Sequence, residues 1–273
     1  MSSSYALDNA SQHGGDHLTG LAGLYDPFTT TRIAGLLDLA DKRCLEAGAG
    51  SGSIAVWLAE QVGPVGQVWA TDIQPVHIPY RANLRVVGHD LRSEPLPAKD
   101  LDLIHTRMVL GHLPERDAVL ERLVEALAPG GVLLVEEWNT TTSIGGVLHA
   151  PTPELAEAYT RYTRLRNDIF TAAGTCGEFA AGLHARLIDA GLTDVNTVVH
   201  AQSWTGGSPG SRHARATLLQ FRPRLHQLGM TDTDIDQLAV LLDDPDLDVM
   251  SFPLVSTAAR APEANTDAYG DDS

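Results

Sequence analysis

The sequence predicts an α/β fold, a mostly parallel sheet with helices on both faces. Three observations predict it. Between residues 43 and 139 short apolar runs alternate with helical stretches. A glycine-rich turn joins the first of these runs to the first of these helices. The run Val132–Trp138 is nearly continuously apolar, as expected of a strand buried on both faces.

The elements follow in order. Residues 1–18 are polar and rich in Ser, Gly and His, which reads as a flexible arm. Residues 20–40 carry Leu21, Leu24, Phe28, Ile33, Leu36 and Leu37 at helical spacing, so a helix pair is expected there, broken at Asp26–Pro27. Strands are expected at 44–47, 67–71, 85–87, 100–106 and 132–138, with helices at 53–62 and 116–127 and a turn at Pro129–Gly130–Gly131. Residues 153–190 read as mostly helical, 194–203 as a strand, 205–245 as a largely helical insertion and 252–258 as a last strand. The organisation that results is an arm with lid helices (1–40), a cofactor-binding core (41–140), a helical cap (141–192), a terminal strand pair carrying the insertion (193–262) and a disordered acidic tail (263–273).

Bulk properties narrow the function. The 273 residues suffice for a large core. No apolar run approaches the roughly 18–20 residues needed to span a bilayer. The N-terminus lacks the pattern of a secretory signal, so a cytoplasmic protein is expected. The formal charge of −16 repels phosphate backbones and anionic lipid, which argues against nucleic-acid and membrane partners. Cys44 and Cys176 fit neither a metal spacing nor a disulfide in a reducing compartment.

Chemistry concentrates in the run Glu46-Ala-Gly48-Ala49-Gly50-Ser-Gly52, between a strand and a helix. Glycines there let the backbone turn tightly and approach a ligand, and the helix start offers free N–H groups. Asp72, closing the next strand, is placed to accept hydrogen bonds from a ribose. Both features suit a nicotinamide enzyme as well as a protein that binds S-adenosylmethionine. The acidic Glu46 would repel a pyrophosphate but suits a sulfonium and an amino group. Gly88-His-Asp90-Leu91 after the third strand could address an adenine edge. The Tyr-x-x-x-Lys pattern of many nicotinamide oxidoreductases is missing, since the two lysines are Lys42 and Lys99.

In the runs Leu45–Gly52, Ala70–Ile73, His89–Leu91, Asp102–Arg107, His112–Pro114 and Leu127–Val132 the chain resembles class I S-adenosylmethionine-dependent methyltransferases. The likeness is strongest to small-molecule enzymes of actinomycete natural-product pathways. It covers residues 1–139 well and the remainder loosely. The resemblance implies a Rossmann-like, seven-stranded, mostly parallel sheet whose last strand is antiparallel, with S-adenosylmethionine as cofactor. It implies that Glu46, Gly48 and Gly52, with Ala49 and Gly50 in the same loop, line the methionine and ribose part. Asp72 would take the ribose diol, and Ile73 would pack on adenine. Asp90 and Leu91 would meet the adenine edge, and Thr106 and Arg107 would border the sulfonium. The roughly 45 largely helical residues between the last two strands depart from the usual short hairpin. They are read as extra cap or as a homodimer surface.

Ligands of open α/β sheets bind beyond the carboxyl ends of the strands. His112, just past the fourth strand, is the first candidate for a general base, with a helix-capping role as the alternative. Glu137 could orient an amine or accept an indole N–H. Tyr5, Gln12 and Tyr25 are candidate lid residues, Gln12 toward the cofactor and Tyr25 toward the acceptor. His105, inside a strand, is expected to pack. Trp138 and Trp204 could stack on an aromatic acceptor or serve as core. No histidine spacing suggests a metal, so a metal-independent reaction is expected. The reading is methyl transfer to a small, aromatic or specialised-metabolite acceptor at oxygen, nitrogen or carbon. The rivals are a protein that binds S-adenosylmethionine without methyl transfer, for cyclisation or ligand ordering, and a nicotinamide-dependent oxidoreductase.

Overall fold

A computed structural model of the protein describes residues 7, 13–75, 78–141 and 146–264. Tyr5, Gln12 and most of the acidic tail lie outside the described residues. The first strands are β1 (Arg43–Ala47), β2 (Gln67–Asp72), β3 (Leu84–Gly88), β4 (Leu101–Arg107) and β5 (Leu127–Trp138). They pair in parallel in the order β3-β2-β1-β4-β5. Two later strands complete the sheet. One is Thr193–His200, which lies at the far edge. The other is Leu254–Arg260, which inserts between it and β5 and is antiparallel to both. The sheet is therefore mostly parallel, as the strand–helix alternation predicts, and seven-stranded, as the resemblance implies.

Alternation along the strands sorts side chains to two faces. Leu45, Ala47, Ile104, Leu133 and Val135 pack on one side with Leu120 and Leu123 of the helix Arg116–Glu125. Cys44, Val68, Ala70, Leu103 and Leu134 pack on the other with Ile54 and Leu58 of the helix Ser53–Gln61. Pro129–Gly130–Gly131 is not a turn ahead of the fifth strand. It lies within β5 as a register shift, since Leu127 pairs with Leu101 whereas Val132 pairs with Leu103. Such irregularities bend a strand without ending its pairing.

The N-terminal region departs most from expectation. A single helix, α1 (Gly14–Ala34), runs through Pro27, and its first turns take up part of the expected arm. Proline removes one backbone donor and usually kinks or ends a helix. Here tertiary packing outweighs that cost. Gly20 and Gly23 bring α1 close against Pro209 and His213, and a Cβ on Gly20 would lie 2.6 Å from the His213 nitrogen. The Gln202 amide donates to the Leu24 carbonyl at 2.8 Å.

The insertion folds inward. Its helices Pro209–Gln220, Arg222–Gln227 and Asp232–Leu241 pack with α1 and with Pro153–Ala172 around Tyr25, Tyr162, Leu218, Phe221, Ile235 and Leu238. Cap chemistry sets their starts. Thr152 accepts the Leu155 N–H with Pro153 behind it, and Thr231 and Asp234 form a reciprocal capping box. A small antiparallel sheet of Gly146–His149, Asp248–Met250 and Ser203–Thr205 ties this layer together. Among the described residues no helix is long and apolar enough to cross a membrane.

Phe221 is buried at the centre of this helical core. Phe221→Ala should cost about 3–5 kcal/mol, read as a lowered urea midpoint at unchanged slope.

Candidate active site

One cavity of about 230 Å³ opens at the carboxyl ends of the central strands. The glycine loop between β1 and the helix Ser53–Gln61 forms its floor. The N–H groups of Gly48 and Ala49 both donate to the Thr71 carbonyl at 2.8 Å, and Gly50 N–H donates to Asp72 Oδ2 at 2.9 Å. Gly48 has φ +77°, and a Cβ there would lie 2.2 Å from a Val109 methyl. Only glycine meets both conditions.

Most of the residues singled out from the sequence line this cavity: Glu46, Gly48, Ala49, Gly50, Asp72, Ile73, Asp90, Leu91, Arg107, His112 and Glu137. Ile73 is 49% exposed and presents an apolar face to the cavity. Asp72 accepts from Gly50 through one oxygen and from Gln74 N–H through the other, at 2.8 Å. Asp90 is held by Arg92 at 2.8 Å, and that bond keeps its carboxyl below the ordinary range.

Three expected residues stand elsewhere. Gly52 caps the helix Ser53–Gln61 in the left-handed region, against Ile78, and does not line the cavity. Thr106 is buried on the sheet face opposite His105, because strand alternation turns it away. Tyr25 lies behind Trp138, whose indole N–H donates to it at 2.7 Å, and lines a smaller cavity of about 40 Å³. Burial pushes its hydroxyl up to about 12, so it is neither at the main cavity nor suited to give up a proton. Trp138 faces the main cavity, whereas Trp204 belongs to the helical core.

Beneath the floor runs a buried polar chain. Glu46, His105 and Glu136 project from β1, β4 and β5 on the face that carries α1. His105 Nδ1 lies 2.6 Å from Glu46 and its Nε2 lies 3.3 Å from Glu136. Thr29 of α1 donates to Glu136 at 2.6 Å, and Arg107 binds Thr29 at 2.8 Å and Asp26 at 2.6 Å. Burial opposes a charge on His105, but the two carboxylates outweigh it and raise the imidazole to about 9. The same pairing holds Glu136 below the ordinary carboxylate range despite its burial.

The wall that follows β4 is different. Met108 leaves β4 at φ +56°, a costly conformation for a side-chain-bearing residue. It swings Val109–His112 over the cavity. Glu137 Oε1 accepts the Val109 N–H at 3.0 Å. Burial pushes Glu137 up to about 7, although the amides of Gly111, Val109 and Leu110 oppose the shift. His112 Nδ1 meets the Thr175 hydroxyl at 2.9 Å, and burial, aided by Arg116, lowers this imidazole to about 4. His17 and His213 also line the wall and are likewise lowered, His213 to about 3, chiefly by burial. Three neutral imidazoles thus face the cavity beside Trp138 and Phe170.

Sequence reasoning missed His17, Thr217, Asn167, Arg166 and Phe170 and gave His213 no role, because the cap reaches the cavity only through tertiary packing. One signal was present. Tyr159, Tyr162, Arg166 and Ile169 share a helical stripe that is apolar or aromatic apart from Arg166. Among the described residues no group of three or more His, Cys, Asp or Glu could hold a metal ion.

A seven-stranded sheet with one antiparallel strand, together with a glycine loop beside a strand-end Asp, defines the class as a cofactor-binding α/β fold. The chain belongs to the methyltransferase-domain family, which it matches over residues 25–193. It is 38% identical over 112 residues to methyltransferase str2 of Strobilurus tenacellus, which covers 40% of each chain. It is 29% identical over 147 residues to the ubiquinone/menaquinone biosynthesis C-methyltransferase UbiE of Cupriavidus metallidurans, which covers 51% of this chain and 57% of that one. The chain therefore spans less than two thirds of the length of these relatives. Its fold is similar to that of phosphoethanolamine N-methyltransferase 2 from Haemonchus contortus, solved with S-adenosyl-L-methionine (TM-score 0.57, 16% identity, 96% of this chain and 61% of that one). It is also similar to the YcgJ protein of Bacillus subtilis (TM-score 0.55, 15% identity, 88% of this chain and 100% of that one). At these identities the likeness is one of fold.

The buried triad sets a pH dependence. His105 is raised in the folded state, so its contribution is complete below about pH 6.5 and is lost as pH rises through about 9. Glu137 is raised to about 7, so its ionisation is a separate event at lower pH. The unfolding midpoint should fall between pH 7 and 9, and His105→Gln should flatten that slope. An equally steep decline in the variant would show that another group sets it.

Proposed function

We propose that the protein is an S-adenosylmethionine-dependent methyltransferase acting on a small acceptor. One observation carries the reading: a single cavity is lined at one end by the glycine loop and Asp72 and at the other by aromatic and imidazole side chains of the cap. The family match supports methyl transfer as the reaction.

The residues present fit this cofactor. Gly48 lets the loop pass directly against Val109, where a Cβ would collide. The acidic side chains of Glu46, Asp72 and Asp90 line the same end of the cavity and suit a ligand that carries positive charge. Asp72 would meet the ribose, Ile73 the adenine face, and Asp90 with Leu91 the adenine edge. When bound, S-adenosylmethionine supplies an electrophilic methyl group on a sulfonium.

The chain's own task is to align the acceptor and exclude water, a positioning effect that can be worth roughly 7–11 kcal/mol. α1 and the cap helices cover the cavity and serve the second purpose. His112 is held neutral, and with its imidazole near 4 it is a weak base. It suits a hydrogen bond from the acceptor's nucleophile, with Thr175 fixing the ring. Glu137 holds the turn that presents His112 and, near 7, can take a proton. The resemblance to natural-product enzymes supports a specialised metabolite as acceptor, at oxygen, nitrogen or carbon.

Two outcomes test this reading. Calorimetric titration with S-adenosylhomocysteine should give micromolar binding, with no heat from NADH, and Asp72→Ala should weaken it by about tenfold or more through loss of a charged acceptor. NADH binding in its place would overturn the cofactor assignment. His112→Ala should lower turnover of labelled methyl groups by about 10²-fold while leaving affinity for S-adenosylhomocysteine within about twofold. Unchanged turnover would remove His112 from the mechanism.

A further inference from the structure

Arg166 stands in the middle of the buried stripe of the helix Pro153–Ala172, with Tyr159 and Tyr162 before it and Ile169 after it. The residue is 6% exposed. Among the described residues no carboxylate lies within 4 Å of it, while the other two cavity arginines are both paired, Arg92 with Asp90 and Arg107 with Asp26. Its hydrogen bonds go to one amide oxygen, Asn167 Oδ1, at 3.1 Å from Nη2 and 3.4 Å from Nε. The ring of Phe252 lies under one face at 4.8 Å. A guanidinium has five donors, and burying its charge without an anion is costly. An apolar residue would fill this stripe at lower cost.

Among the described residues the surroundings supply no hidden anion. Burial holds the hydroxyls of Tyr25 and Tyr159 up at about 12, and it keeps the neighbouring His213 neutral. Arg166 instead belongs to the walls of both cavities. It lines the main cavity, and with Trp138 and His213 it also lines the smaller one, which no residue of the glycine loop reaches.

We propose that Arg166 is an acceptor-binding residue, and that the acceptor carries a carboxylate which this guanidinium pairs with across the cap end of the cavity. The planar fork fits a planar carboxylate with two parallel N–H bonds, and Asn167, which also lines the cavity, holds the fork in place. The acceptor role rests on the methyltransferase reading, whereas the ligand chemistry stands on Arg166 itself. A second source of the same chemistry is the carboxylate of the cofactor's methionine end. The position of Arg166 on the wall shared with the smaller cavity, away from the glycine loop, favours the acceptor.

The test titrates full-length protein, with and without S-adenosylhomocysteine, with benzoate, salicylate and indole-3-carboxylate, each against its primary amide, and with phenyl phosphate. At least one acid should bind ten times or more tightly than its amide. Arg166→Gln should bring that ratio close to one, Arg166→Lys should restore part of it, and affinity for S-adenosylhomocysteine should stay within twofold in both. Acids that never bind more tightly than their amides in the wild-type protein overturn the proposal without recourse to a variant. So does a preference for phenyl phosphate alone, or an Arg166→Gln protein that loses S-adenosylhomocysteine affinity and keeps its acid preference. Failure of the wild-type protein to bind S-adenosylhomocysteine refutes the methyltransferase reading instead, and the acid-to-amide ratio is still read in its absence.

Discussion

A protonated imidazole buried between two carboxylates is the interaction on which the site depends. His105 bridges Glu46 and Glu136, and so links the three central strands just below the cavity. Isolated, any one of these charges would be too costly to bury. Together they form a set in which removal of one member strands the others. Glu46 opens the glycine loop, so the triad sets where that loop begins. Glu136 is also held by Thr29, and Thr29 by Arg107, so the same chain fixes α1 across the mouth of the site. Floor and lid therefore share one electrostatic anchor.

The cavity built on that anchor is polarised. Its glycine-loop end is carboxylate-rich, with backbone amides closing the loop onto Thr71 and Asp72. Its cap end is aromatic, with His17, His112 and His213 kept neutral by burial and the Arg166 guanidinium among them. Such a division suits two ligands of different character, a cationic cofactor and an acceptor held by stacking and one ion pair. The strained backbone at Met108 lies at the boundary and carries His112 between them.

Much of the sheet and of the floor was legible because both obey short-range rules. Strand–helix alternation, the glycine run and Asp72 lie in consecutive stretches whose chemistry does not depend on distant residues. The failures also have physical causes. Proline at 27 argues against a continuous helix, but close packing of Gly20 and Gly23 on the insertion holds one helix together. Thr106 and Arg107 are neighbours in sequence, yet strand alternation places them on opposite faces, so only Arg107 reaches the cavity. Tyr25 is a lid candidate by its place in the sequence, but it lies behind Trp138, which donates its indole N–H to it. His105 was expected to pack, and it does lie in the core, but as a charged partner of two strands.

By itself the sequence determined the α/β class, the order of the central strands' motifs and the identity of the glycine loop with its strand-end Asp. These depend on periodicity, turn chemistry and residue type, which are local properties. Only the tertiary structure decided which histidines and which arginine share the cavity. His17, Arg166 and His213 come from three separate helices, and their approach is set by packing in the helical core. Their charge states follow from that burial, and burial is a property of the assembled chain.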